Sequence, residues 1–174
     1  YSLHLSYLKL TCRSSRHGGI TTWGNVYIKG VHFDGYYDDT TDNAAMGGAL
    51  YVAKEGDTPQ LVISDSTFEN FKAEKFGGAI FATGVGTNVS IASSTFRFNL
   101  AIDASFGAFG TGGAIYAFDG VQLTVADTTF VSNSGQEGGA VALRSSDSST
   151  DPTRGDFTSC IFETLCVQEA SWVK

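Results

Sequence analysis

Five phenylalanines, Phe33, Phe68, Phe96, Phe130 and Phe162, recur at the same place in a repeating unit. Five residues before them stand Ile28, Ile63, Ile91, Val125 and Phe157, and seven before stand Val26, Leu61, Val89, Leu123 and Gly155. The rule extends back to Leu10, Leu5 and Leu3, giving six copies with one exception at Gly155. A self-similar period of roughly 26–35 residues is the signature of a repeat architecture and limits the fold more tightly than composition does. A second recurrence precedes it in each copy: Gly47-Gly-Ala-Leu50, Gly77-Gly-Ala-Ile80, Gly112-Gly-Ala-Ile115 and Gly138-Gly-Ala-Val141. His17-Gly-Gly-Ile20 falls in line if Ile20 matches Leu50.

Side chains alternate across a strand, so the positions seven and five before the phenylalanine share one face. The residue two before it shares the inward face of the next strand, and there the chain places Leu8, Val31, Ser66, Ser94, Thr128 and Cys160. The change of phase between these positions marks a corner. Paired glycines fit a backbone that takes positive φ or approaches a neighbour closely, and they introduce a third strand through Leu50, Ile80, Ile115 and Val141. Each unit buries its apolar face only against its neighbours. The expectation is an all-β, right-handed parallel β-helix of about six coils with three short strands per coil, right-handed because parallel crossovers are. An antiparallel sandwich, with turns every ~8–12 residues, gives no reason for aligned columns at this period.

Residues 1–174 read as a single β-helix domain and as a piece of a longer solenoid, because the chain opens inside a strand. A net charge of −7 argues against a nucleic-acid partner. No apolar run reaches the length of a membrane span. Three cysteines are too few for a disulfide scaffold. Cys12 falls in the first copy and Cys160 in the sixth, too far apart to bridge. A Cys160–Cys166 bridge stays open, as does a free thiol in the inward slot.

Surplus residues collect at the corners. Asp34–Met46, Arg97–Thr111 and Ala142–Arg154 are the long segments, and insertions at one face of a repeat array are where binding usually lives. Tyr36, Tyr37, Asp38 and Asp39 in the first, and Phe98, Ile102, Phe106 and Phe109 in the second, are the candidate binding residues. The second set is apolar for a loop; it either folds over the flank or meets another chain.

Gly-Gly-Ala-Ile together with Phe-x-x-Asn, strict at Phe96–Asn99 and Phe130–Asn133, resembles the repeats of the polymorphic membrane proteins, the chlamydial-type surface autotransporters. It is also similar to β-helix repeats of algal and protist surface proteins. The resemblance covers the middle of the chain. It implies a β-helical passenger at a cell surface, used for adhesion.

Chemistry is sparse. Glycoside cleavage needs two carboxylates facing each other across the substrate. The outward column Lys9, His32, Thr67, Thr95, Thr129, Ile161 has no acid pair, and neither has His4, Tyr27, Val62, Ser90, Thr124, Asp156. No catalytic residue, metal ligand set or cofactor is assigned. Asp38, Asp39, Asp42 and Asn43 read as a solvated acidic loop rather than a calcium loop. Asn88-Val-Ser90 fits a glycosylation sequon at a loop–strand junction. Thr67, Thr95 and Thr129 form an outward hydroxyl row of the kind an ice-binding surface uses, though β-branched residues suit strands anyway.

The leading expectation is a non-catalytic extracellular or cell-surface module that binds a protein or glycan through its loops and flank. The alternative is a structural subunit of a filament, wall or larger assembly, whose partners are neighbouring subunits. A polysaccharide lyase or hydrolase and an ice-binding protein rank below both.

Overall fold

The computed structural model describes residues 2–13, 19–36, 44–102, 110–146 and 151–163. Among these residues every regular element is a β-strand, and all pair in parallel across four sheets. A base sheet holds β1 (Ser2–Ser6), β4 (Asn25–Lys29), β8 (Gln60–Ser64), β12 (Asn88–Ala92), β16 (Gln122–Ala126) and β20 (Arg154–Thr158) in that order. A phenylalanine sheet holds β2 (Lys9–Arg13), β5 (His32–Tyr36), β9 (Thr67–Glu69), β13 (Thr95–Arg97), β17 (Thr129–Val131) and β21 (Ile161–Glu163). A bridging sheet holds β6 (Ala44–Met46), β10 (Lys72–Phe76), β14 (Leu100–Ala101) and β18 (Ser134–Gly135). A glycine sheet holds β3 (Ile20–Thr22), β7 (Leu50–Ala53), β11 (Ile80–Thr83), β15 (Ile115–Phe118) and β19 (Val141–Arg144).

The chain is thus a parallel β-solenoid, and the columns read from the sequence are its register. Leu3 faces Val26, Leu5 faces Ile28, Leu10 faces Phe33, and Ile20 faces Leu50. Two expectations need correction. Two sheets have six rungs, but only four coils carry a strand in every sheet, so the described solenoid has four complete turns flanked by partial ones. Each complete coil also has four strands, not three. The fourth lies in the edge taken for loop, where strands as short as Leu100–Ala101 and Ser134–Gly135 leave too few residues for alternation to show.

The interior is a set of like-on-like stacks. Phe33, Phe68, Phe96 and Phe130 are fully buried, and the rings of successive coils stack at centroid distances of 4.6, 4.9, 5.2 and 4.8 Å through to Phe162. Parallel rungs lie about 4.8 Å apart, so the backbone spacing itself sets the rings at stacking distance. Beside them run Val26, Leu61, Val89 and Leu123, then Ile28, Ile63, Ile91 and Val125, then Leu50, Ile80 and Ile115, all buried.

The corners explain the phase change. Tyr7, Gly30, Asp65, Ser93, Asp127 and Ser159, one per coil, take φ between +48° and +62°. That left-handed residue turns the chain from the base sheet into the phenylalanine sheet. The small inward residue that follows is a polar relay. The Val31 N–H donates to Ser66 Oγ (3.1 Å), Ser66 N–H to Ser94 Oγ (3.2 Å) and Ser94 N–H to Thr128 Oγ1 (3.4 Å). Each hydroxyl donates in turn to a carbonyl two residues back, at Ser64, Ala92 and Ala126. Cys160 takes the same slot as a free thiol, its Sγ 3.4 Å from the Thr158 carbonyl and 3.5 Å from the Val125 carbonyl.

At the glycine corner the two glycines have separate jobs. Gly77 takes φ +59°, and a Cβ on Gly78 would sit 2.0 Å from the Gly113 carbonyl of the next coil. The first turns the chain and the second lets rungs stack.

The Asn of Phe-x-x-Asn is internal too. Asn99 is fully buried: its Nδ2 donates to the Phe68 carbonyl (3.0 Å) and its Oδ1 accepts the Phe71 N–H (3.1 Å). Asn133 repeats this one coil on, donating to the Phe96 carbonyl (2.9 Å) and accepting the Asn99 N–H (3.1 Å). One coil before, Phe71 fills the slot, which is why Phe68 lacks the motif.

Two outcomes follow for equilibrium urea unfolding. Phe96→Ala lowers stability by about 3–5 kcal/mol by opening a ring-sized gap in the stack. Asn99→Ala lowers it by about 2–4 kcal/mol because a buried N–H and a buried carbonyl lose their partners. An Asn99→Ala chain as stable as wild type would mean that the motif is not structural.

Candidate functional site

With the interior filled, chemistry is confined to outward positions. The alternation of the phenylalanine sheet continues one residue past each Phe, and this outward column reads Asp34, Glu69, Arg97, Val131, Glu163. Lys9, His32, Asn70 and the acids Asp34 and Glu69 meet Arg97 here in one polar cluster. Lys9 Nζ lies 3.0 Å from Asp34 Oδ2, and Asn70 Nδ2 donates to Asp34 Oδ1 at 3.0 Å. His32 Nε2 lies 2.5 Å from Glu69 Oε1, and Arg97 Nε donates to Glu69 Oε2. Glu69 is 8% exposed.

Each carboxylate therefore has both oxygens engaged. The Asn70 and Lys9 hydrogen bonds hold the Asp34 carboxyl below its ordinary range. Burial pushes the Glu69 carboxyl up, but the hydrogen bonds from Arg97 and His32 outweigh it and the net shift is down. General acid–base cleavage of a glycoside needs one carboxyl of the pair to keep its proton near neutrality. Here both are driven toward the ionised form, so the pair lacks that division of labour. His32, Asp34 and Glu69 place one ligand atom each within 4.8 Å of one another, close enough to share a metal ion. Lys9 and Arg97 already neutralise the two acids, and a divalent cation would have to displace both pairs. The cluster is an internally compensated ion-pair row tying four coils together, from Lys9 on β2 to Arg97 on β13.

Asp34 opens the long segment Asp34–Met46 and Glu69 directly follows Phe68, so neither falls in the columns read from the sequence; following the alternation one residue beyond Phe finds both. The threonines do stand in one column, Thr67 facing Thr95 and Thr95 facing Thr129. Their neighbouring outward column is the charged row, so the hydroxyls make a single file rather than a two-dimensional lattice.

Of the expected binding residues, Phe98 and Ile102 are described and exposed, at 53% and 36%. Phe98 occupies a second left-handed corner, φ +55°, whose neighbours up and down the stack are Asn70 (+61°) and Ser132 (+50°). Tyr36 ends β5, and nothing is described of its side chain. Tyr37, Asp38, Asp39, Phe106 and Phe109 lie outside the described residues. Asn88 opens β12, exposed, its amide donating to the Gly86 carbonyl (3.0 Å). The outward column of the glycine sheet, Tyr51, Phe81 and Tyr116, is an aromatic cluster that Phe76 joins at 5.0 Å from Tyr116. Burial raises the Tyr116 phenol above its ordinary value.

Comparison with known proteins agrees with this architecture. No family model and no solved structure matches the chain. A probable outer membrane protein of Chlamydia pneumoniae, pmp8, is 38% identical over 100 residues, which is 53% of this chain. The chain carries a β-helix repeat similar to that of the polymorphic membrane proteins. It spans 10% of the relative's length, so the match concerns the repeat and not the whole relative. Repeat and fold together fit a surface β-helical module. No helix among the described residues is long and apolar enough to cross a membrane.

The ion-pair row gives a pH dependence. Both native pKa values lie below the ordinary 3.8 and 4.5, so between these values and the lowered ones the unfolded chain binds more protons than the native one. Stability is held above about pH 4.5 and falls as acid titrates the native pair. Asp34→Asn with Glu69→Gln makes the fall in melting temperature from about pH 5 to pH 2 shallower than in wild type. An unchanged acid limb would show that the pair does not contribute.

Proposed function

We propose that this chain is a rigid, non-catalytic module displayed outside the cell or at its surface, binding a protein or glycan partner through its corners and flank. The observation that carries the reading is Phe98. A bulky aromatic side chain held left-handed, where adjacent coils use Asn70 and Ser132, costs about 1–3 kcal/mol, and it is half exposed. Strain kept at an exposed aromatic is the mark of a position selected for contact rather than stability. In the sequence, the segments that follow Phe33 and Phe96 also contain Tyr36, Tyr37, Asp38, Asp39, Ile102, Phe106 and Phe109. The pmp8 relative, named an outer membrane protein, supports the setting.

Phe98→Asn tests it, because Asn70 shows that the corner accepts asparagine. The variant is at least as stable as wild type and binds whole cells at least about tenfold more weakly in a fluorescence-labelled binding assay. Equal binding by the two proteins would sink the reading.

A structural role in an assembly has its own support. On the last described rung Phe157, Ile161 and Phe162 are 38%, 52% and 48% exposed, a face that suits another coil of the same design. Sedimentation velocity separates the readings: an assembly subunit forms larger species as concentration rises and Phe162→Asp abolishes them, whereas an adhesive module stays monomeric.

A further inference from the structure

At the corner between the glycine and base sheets the chain forms a cleft of about 710 Å³, within the ~300–1,000 Å³ of small-molecule sites. One wall is the turn Thr21–Asn25, with Trp23 at its apex, 48% exposed. The other is the loop carrying Glu55, Asp57, Thr58 and Pro59. We propose that this cleft binds a neutral saccharide.

Both walls are fixed before any ligand arrives. Thr22 Oγ1 accepts the Gly24 N–H at 3.1 Å, which closes the turn that presents the indole. Asn25 Oδ1 accepts the Gln60 N–H at 3.0 Å, tying the turn to the end of the opposite loop. The far side of that loop is pinned to the next coil: Lys54 Nζ donates to the Val85 carbonyl and the Asn88 N–H to the Pro59 carbonyl, both at 3.1 Å. Preorganised walls lower the entropy lost on binding.

The lining selects the ligand. Among the described residues no basic side chain lines the cleft, and these give a phosphate, a sulfate or an acidic sugar no counter-charge. Apart from Trp23, Leu3 and Pro59, the lining is hydroxyl, amide, carboxylate and backbone, too polar for a wholly apolar ligand. An exposed indole attracts the C–H face of a pyranose through its negative π-face. Thr58 offers a hydroxyl and Asn25 an amide, and Glu55 and Asp57 accept from sugar hydroxyls as charge-assisted acceptors. A cation would be drawn by the indole and the two carboxylates, and the tetralysine arm of the test below separates it from a saccharide. The inference rests on the binding reading above only for its setting at an exposed surface, and it uses different residues.

The test uses soluble probes, so its failure is separate from a failure of cell binding. In a Trp172→Phe chain Trp23 is the remaining indole. Its fluorescence is titrated with maltotriose, cellotriose, lactose and N,N′-diacetylchitobiose, and separately with tetralysine. The expected result is saturable protection of Trp23 from acrylamide by at least one saccharide, unchanged on raising salt. Calorimetry with that saccharide shows a loss of at least about tenfold in Trp23→Ala and none in Phe98→Asn. The proposal is overturned if no saccharide protects Trp23 up to about 10 mM. It is equally overturned if Trp23→Ala binds as wild type does, or if only tetralysine binds and salt removes it.

Discussion

In-register parallel pairing is the constraint on which the rest depends. Once β9, β13 and β17 align residue for residue, every side chain meets its own counterpart about one strand spacing away. A column must then hold residues that tolerate self-stacking. Aromatic rings, β-branched aliphatics and hydroxyls do so; like charges do not. The phenylalanine stack satisfies this with nearly parallel rings, interplanar angles of 6° and 13° on the two sides of Phe96. The same constraint excludes an interior ligand site, because the interior is filled column by column.

Corners are the costly part of such a coil, since each turn removes backbone groups from the ladders. The chain answers with side chains that imitate ladder partners. Ser66, Ser94 and Thr128 accept an N–H from the preceding coil and donate to a carbonyl of their own, so each hydroxyl uses both of its capacities. Asn99 and Asn133 do the same at the next corner with a longer reach. No buried side-chain polar atom among the described residues is left without a partner. Polar residues inside this solenoid are thus part of its periodicity, and their recurrence carries structural rather than binding information.

The exterior obeys a looser rule. An outward column needs only compensated neighbours, so it can place Asp34 beside Glu69 when Lys9, His32 and Arg97 pair with them from adjoining positions. It can also carry an aromatic that no coil requires, as at Phe98, or a turn that lifts Trp23 clear of the rungs. Departures from repetition are therefore where partner-specific chemistry has room, and they sit at corners because a strand interior is pinned by both neighbours.

The sequence by itself determined the register. Period-two alternation, the paired glycines and the phenylalanine spacing admit one pairing, because a one-residue slip would turn every apolar column outward. It also determined that the −2 slot is small and inward, though not that its hydroxyls relay hydrogen bonds from coil to coil. Tertiary structure alone decided the fourth strand, whose pairing comes from neighbouring rungs rather than from any pattern in Leu100–Ala101 or Ser134–Gly135. It alone joined Asp34 to Lys9 and Glu69 to His32 and Arg97, residues separated by whole coils. It alone brought Trp23 opposite Glu55 and Asp57. Stacking converts a separation of about one coil in sequence into one strand spacing in space, and only closure of the solenoid makes those distances short.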